Sequence, residues 1–147
     1  MHDNLTVRHA TQRLFVYGTL RKGAGHEMHR VLARAARRVG FATVRGALVD
    51  LGSYPGLVIT DDDAGRVKGE VYALEPDGAE AALALLDAYE GCAPSDPPPH
   101  EYRREPVRVT FDDGAECEAW TYVLNSPCAG LPRIADGDYV AWLRRER

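Results

Sequence analysis

Two short segments, Tyr17-Gly-Thr-Leu20 and Leu86-Asp-Ala-Tyr-Glu-Gly91, carry residue types that can do chemistry. The first follows Arg13-Leu-Phe-Val16, a β-branched and aromatic run that reads as a buried strand, and it leads through a small-residue loop toward a helix. Glycine lets backbone amides approach a ligand with no Cβ in the way. Successive free N–H groups near a helix start then form a cradle for a carboxylate or phosphate. An ordinary buried strand ending in a glycine turn has the same pattern. The second segment sets a lone carboxylate, Glu90, at the end of an apolar helix, where the macrodipole disfavours negative charge. Desolvation there would raise its pKa, and such a carboxyl group can act in turn as proton acceptor and proton donor. Leu86, Tyr89 and the proline-rich stretch that follows are the residues available to desolvate it. Its plainer reading is a solvated side chain in a last helical turn.

The elements that must position these segments follow from periodicity. Between Gly25 and Ala36, Met28, Val31, Leu32 and Ala35 recur at helical spacing with charged residues opposite. Val39–Leu51 and Leu57–Thr60 are β-rich, with Gly40, Gly46 and Gly52 marking bends or bulges. Asp61-Asp-Asp-Ala-Gly65 has hairpin-turn chemistry and leads into a strand over Val67–Leu74. It lacks the later bidentate Glu of a calcium loop. Asp77 and Glu80 form a candidate capping box for a helix through Leu83, Leu86 and Tyr89, stopped by Gly91. Gly91-Cys-Ala-Pro-Ser-Asp-Pro-Pro-Pro99 is excluded from regular structure by its prolines and reads as a semi-rigid loop. Tyr102–Phe111 and Glu116–Leu124 flank the hairpin signature Asp112-Asp-Gly114, and Ala135–Arg145 forms a terminal helix packing Tyr139, Val140 and Leu143. At least five strands, mainly hairpin-connected and with a meander over residues 39–60, together with two or three helices give an α+β fold on a small antiparallel or mixed sheet.

Composition narrows the function class. A chain of 147 residues is the size of one domain with a self-sufficient core. The expected organisation is a flexible N-terminal segment over residues 1–12 and a single domain over 13–147. The net charge of −4 gives neither a nucleic-acid nor a membrane-surface footprint. The basic clusters at Arg34–Arg38 and Arg103-Arg104 read as solvated faces. No apolar run has the length of a membrane span, Met1–Gln12 lack the core of a signal peptide, and a cytoplasmic location is expected. Cys92, Cys117 and Cys128 are odd in number and share no metal-ligand spacing, which argues against a disulfide framework. His26 and His29, three apart on a helix, lack a third ligand nearby, so no metal is expected.

Tyr17-Gly-Thr-Leu20, Tyr54-Pro-Gly-Leu57, Gly69-Glu-Val-Tyr72, Leu86-Asp-Ala-Tyr-Glu-Gly91, Tyr102-Arg103 and Gly137-Asp-Tyr139 occur in an order that resembles the γ-glutamylcyclotransferase-like (AIG2-like) family. The resemblance runs over nearly all of residues 13–142. It implies a compact, partly closed β-barrel with helices outside, and an enzyme that converts a small-molecule γ-glutamyl substrate to 5-oxoproline without a cofactor. It also implies that Glu90 is the catalytic glutamate and that the amides of Tyr17, Gly18, Thr19 and Leu20 bind substrate. The chain departs from the pattern at Met28-His29, where many relatives have Asn before His, and this touches the anchoring of the glycine loop.

Other polar residues carry paired readings. Tyr54 either borders the substrate, as the family pattern implies, or is a packed turn aromatic. Tyr122 either points its hydroxyl into the cavity or is a core tyrosine. Glu70 is a competing acid, though its place in an alternating strand makes it outward-facing or structural. Arg103 either meets a substrate carboxylate or balances Glu105. Two rival functions share the same fold: a non-catalytic small-molecule binding module, and an amide hydrolase in which Glu90 activates water.

Overall fold

The apolar run Arg13–Val16 forms strand β1. Leu14, Phe15 and Val16 are all buried, because the strand is covered on both faces. A computed structural model describes residues 12–18, 28–52, 54–60, 65–125 and 130–146. Within them the order continues with helix α1 (Met28–Ala35), β2 (Ala36–Asp50), β3 (Pro55–Ile59), β4 (Arg66–Leu74), helix α2 (Ala79–Tyr89), β5 (Tyr102–Phe111), β6 (Glu116–Leu124) and helix α3 (Tyr139–Glu146). Thr19, Leu20, His26, the Asp61–Ala64 part of the acidic turn and Cys128 lie outside the described residues.

The strands are hydrogen-bonded in the order β2-β4-β1-β6-β5, and β5 returns to β2 through Ala42 opposite Phe111 and Thr43 opposite Thr110. The result is a closed five-stranded barrel, with β3 added outside it along β2 from Gly46 to Asp50. All pairings are antiparallel except β1 with β6, where Leu14 lies opposite Trp120. The antiparallel pairing of β2 with β3 is the one expected over residues 39–60, and the rest of the strand order departs from sequence order. β2–β3 and β5–β6 pair as sequence neighbours, but β4 crosses back to lie between β2 and β1, and the N-terminal strand closes the gap to β6. Long-range closure of this kind leaves no local signature.

Alternation along the strands divides the core. Phe15, Val44, Val67, Val71, Val109 and Val123 pack in one cluster, while Leu14, Val16, Tyr72 and Leu74 face the other way, toward Leu32 of α1 and Ala82, Leu83 and Leu86 of α2. Gly69 is required by the close approach of β4 to β1, since a Cβ there would stand 2.4 Å from the Val16 carbonyl oxygen. The bend expected at Gly40 is a register shift between Arg38 and Gly40.

Two further expectations change. Asp77 and Glu80 form no capping box. Pro76–Gly78 is a turn of 3-10 helix, α2 starts after Gly78, and neither start has a side-chain cap, because the proline-led turn sets the helix entry instead. β3 begins at Pro55 rather than Leu57, an allowed place for proline at the first residue of a strand. Glu70 stands on the outer face yet is a buried structural side chain: it is 4% exposed, accepts the Tyr72 hydroxyl at 2.9 Å and lies 4.0 Å from the Arg38 guanidinium. Alternation implies solvent only where an outer face is bare, and here that face lies beneath helices.

Candidate active site

Glu90 owes its position to the way α2 stops. Gly91 takes φ +76°, its N–H bonds to the Ala88 carbonyl at 3.1 Å, and the Cys92 N–H reaches the Asp87 carbonyl at 2.9 Å. This pair of bonds is a Schellman motif. It turns the chain sharply into the irregular segment 91–101 and leaves Glu90 as the capping residue directly after α2.

Parts of four strands meet the end of α2. Tyr17, just after β1, is fully packed, with its hydroxyl donating to the Tyr122 carbonyl at 2.6 Å and accepting from the Leu57 N–H at 3.1 Å. One side chain thereby ties together β1, β3 and β6. Gly18 lies against Pro55, where a Cβ would come within 2.9 Å of the ring. Tyr102, at the start of β5, donates to the Pro55 carbonyl at 2.6 Å, and its ring packs against that of Tyr54. The Tyr54 hydroxyl donates to Glu101 at 2.8 Å. Tyr122 donates to Asp87 Oδ1 at 2.6 Å, and Arg104 grips the same carboxylate through Nε at 2.7 Å and a terminal nitrogen at 3.2 Å.

The electrostatics centre on Glu90. Burial, then the charges of Glu101 and Asp87, raise its carboxyl pKa to about 7. Part of the residue reaches the surface, yet the carboxyl group itself is withdrawn from water. Its charge helps to raise the pKa values of Tyr17, Tyr102 and Tyr122, each mainly through burial, and of Tyr54, mainly through its bond to Glu101. Glu90 thus lies within electrostatic reach of all four tyrosines. Cys92 is pushed up to about 11, chiefly by burial, so it is a poor nucleophile here.

The candidate residues separate accordingly. Tyr17, Tyr54 and Tyr122 lie within electrostatic reach of Glu90, Gly18 lies against Pro55, and Thr19 and Leu20 lie outside the described residues. The Tyr17 and Tyr122 hydroxyls are engaged with protein partners. Tyr89 is 36% exposed. Arg103 pairs with Glu105 at 2.7 Å and with Asn125, on the outward face of β5. Glu70 belongs to its own cluster with Tyr72 and Arg38. Sequence reasoning missed Asp87, Glu101, Tyr102 and Arg104 as members of the site. Two signals were present: Asp87 precedes Glu90 by three positions on the helix, and Tyr102 and Arg104 share a strand face. A separate open groove of about 480 Å³ along the β2–β5 seam, between Arg45, Ile59, Val107 and Arg108, includes none of these residues.

The family model described as gamma-glutamyl cyclotransferase, AIG2-like, matches residues 14–141. The chain belongs to that family. The gamma-glutamylcyclotransferase family protein YtfP of Escherichia coli is 33% identical over 92% of this chain and 99% of its own length. YkqA of Bacillus subtilis is 33% identical over 86% of this chain, which spans only 40% of that longer protein. The YkqA crystal structure superposes with a TM-score of 0.69, at 28% identity, over 94% of this chain and 44% of YkqA. An AIG2-like protein from Mus musculus superposes with a TM-score of 0.67, at 26% identity, over 89% of both chains. The closed barrel with flanking helices is thus the fold of γ-glutamylcyclotransferase relatives. Among the described residues no helix is long and apolar enough to cross a membrane.

Proposed function

We propose that this member of the family cyclises a γ-glutamyl amide or peptide, releasing 5-oxoproline and a free amine, with Glu90 carrying the proton. The observation that supports this most is a single carboxyl group held near neutral pKa at the end of α2, beside the strand end that leads into the glycine loop. The substrate contains both nucleophile and electrophile. Its α-amine and γ-carbonyl belong to one residue, so a folded-back conformation closes a five-membered ring without an enzyme nucleophile. Well-placed intramolecular partners reach effective molarities of about 10⁵ M or more, and the protein's remaining task is proton transfer.

At neutral pH the α-amine is an ammonium. The Glu90 carboxylate takes a proton from it, and the freed nitrogen lone pair attacks the γ-carbonyl carbon to give a tetrahedral intermediate. Glu90 then returns the proton to the amide nitrogen of the leaving group. The C–N bond to that group breaks, the ring nitrogen gives its second proton to the regenerated Glu90 carboxylate, which passes it to the departing amine, and the products are the lactam 5-oxoproline and an ammonium, with Glu90 again a carboxylate. A carboxyl pKa of about 7 suits both halves of the cycle, since neither protonation state is scarce. Gly18, packed on Pro55 with no side chain in the way, begins the backbone stretch that we assign to the substrate α-carboxylate. Tyr54 and Tyr102, one half-exposed and one buried, flank the same space and suit the walls of a small-molecule site.

Product identity tests this reading. Incubation with a panel of γ-glutamyl peptides and γ-glutamylamines should yield 5-oxoproline and the amine in equal amounts. Free glutamate in place of 5-oxoproline would mean that Glu90 activates water and that the enzyme is a hydrolase. Tight binding of panel members with neither product would assign the fold to a binding module.

A further inference from the structure

Asp87 is placed to govern Glu90. It precedes Glu90 by three residues on α2, so both carboxylates project from one side of the helix end. Its main-chain carbonyl accepts the Cys92 N–H that closes the helix, while its side chain leaves α2 altogether. Oδ1 accepts Tyr122 at 2.6 Å from β6, and both carboxylate oxygens meet the Arg104 guanidinium from β5. Arg104 and Tyr122 are directly opposed across the β5–β6 ladder, and the guanidinium is also held over the Trp120 ring, 4.5 Å from its centroid. A two-toothed grip on a half-buried carboxylate has fixed direction as well as charge. The helix end is therefore pinned to two adjacent strands through one side chain, one turn from Glu90.

We infer that Asp87, clamped by Arg104 and Tyr122, is the positioning residue for Glu90: the clamp fixes the end of α2 over the strands, and its paired charges set how strongly Glu90 holds its proton. The inference rests on the reading of Glu90 as proton carrier. The groups coupled to Glu90 are Asp87 and Cys92 at its own helix end, Glu101 and Tyr102 of the β5 approach, Tyr54 before β3, Tyr17 after β1 and Tyr122 of β6, with Arg104 one step behind on the Asp87 carboxylate. Of the charged members, Asp87 raises the Glu90 pKa, and Arg104 pairs with Asp87 and carries the opposite charge. The negative one favours the protonated form and the positive one the carboxylate.

This opposition provides the test. The Glu90 side-chain carboxyl resonance would be followed through a pH titration of the full-length, ¹³C-labelled protein, assigned by its absence in Glu90→Gln. In Asp87→Asn, which changes one charge and almost no volume, the midpoint should fall by roughly half a pH unit or more. In Arg104→Gln it should rise by a similar amount, and Arg104→Lys, which keeps the charge, should return it toward the native value. A purely structural clamp would be broken by either loss and would move both midpoints the same way. Same-sign movement, or an unmoved midpoint in Asp87→Asn alone, would overturn the inference. The titration needs no turnover, so opposite shifts without 5-oxoproline release would defeat the cyclotransferase reading and leave the coupling standing. Intact release with unmoved midpoints would do the reverse.

Discussion

At the scale of single residues, the protein's chemistry turns on the environment of one carboxyl group. Burial is the leading cause of the raised Glu90 pKa, ahead of the neighbouring Glu101 and Asp87 charges. The proton-carrier role requires the carboxylate form in the free enzyme, so kcat/KM should climb about tenfold per pH unit below pH 7 and level off above it, with that limb absent in Glu90→Gln. A steady-state pH profile checks this. The same shift has a stability consequence of definite sign. Folded Glu90 titrates near 7 and its ordinary value is 4.5, so the folded chain binds the extra proton between these values. The resulting stabilisation is complete below pH 4.5 and lost as pH rises through 7. Glu90→Gln avoids that loss. At pH 8 it should be more stable than the native protein by about 2 kcal/mol, allowing for the partial exposure of the residue. Urea titrations at pH 8 and pH 4.5 should show the gap at the first and little of it at the second. Tyr17 makes a contrasting case: Tyr17→Phe leaves the buried Leu57 N–H without its acceptor, so the variant should lose about 1–3 kcal/mol in the same assay.

At the scale of elements, the stop of α2 matters more than its start. The start has no side-chain cap, whereas the stop has two capping bonds and a glycine at positive φ. Gly91→Ala should therefore cost about 1 kcal/mol in thermal or urea unfolding. It should also lower turnover, since Glu90 sits immediately before the strained position. Much of this element was legible in the sequence. Gly91 announced the helix end, the prolines excluded regular structure after it, and Asp112-Asp-Gly114 announced the β5–β6 hairpin, whose loop is closed by the Phe111 N–H to Ala115 carbonyl bond at 2.8 Å. Local chemistry writes such signals because a turn or cap is decided by a few adjacent residues. Partners distant in the chain were not legible. Asp87 meets Arg104, 17 residues away, and Tyr122, 35 away, and nothing local to any of the three specifies the meeting. Glu70 kept two readings for a related reason, because strand alternation names a face without saying what covers it.

At the scale of the whole molecule, barrel closure is what brings the two chemical segments together. β1 leads into Tyr17 and Gly18 and lies parallel to β6, which carries Tyr122, and α2 packs outside them with Glu90 at its end. Closure depends on close strand contact, so Gly69→Ala, whose Cβ would strike a backbone oxygen that cannot step aside, should destabilise the protein by about 1–3 kcal/mol. Its unfolding midpoint measured against the native chain checks this. Periodicity gave at least five of the six strands, and the resemblance to γ-glutamylcyclotransferases supplied the barrel, because strand order is set by contacts that no local pattern encodes. The whole arrangement has one central claim, that Glu90 moves the proton in a cyclisation. The most direct measurement compares 5-oxoproline release from γ-glutamyl peptides and γ-glutamylamines by the native protein and by Glu90→Gln. Release by the native protein, reduced about 10²–10⁴-fold in a variant that remains folded, is the expected result; equal release by both proteins would contradict it.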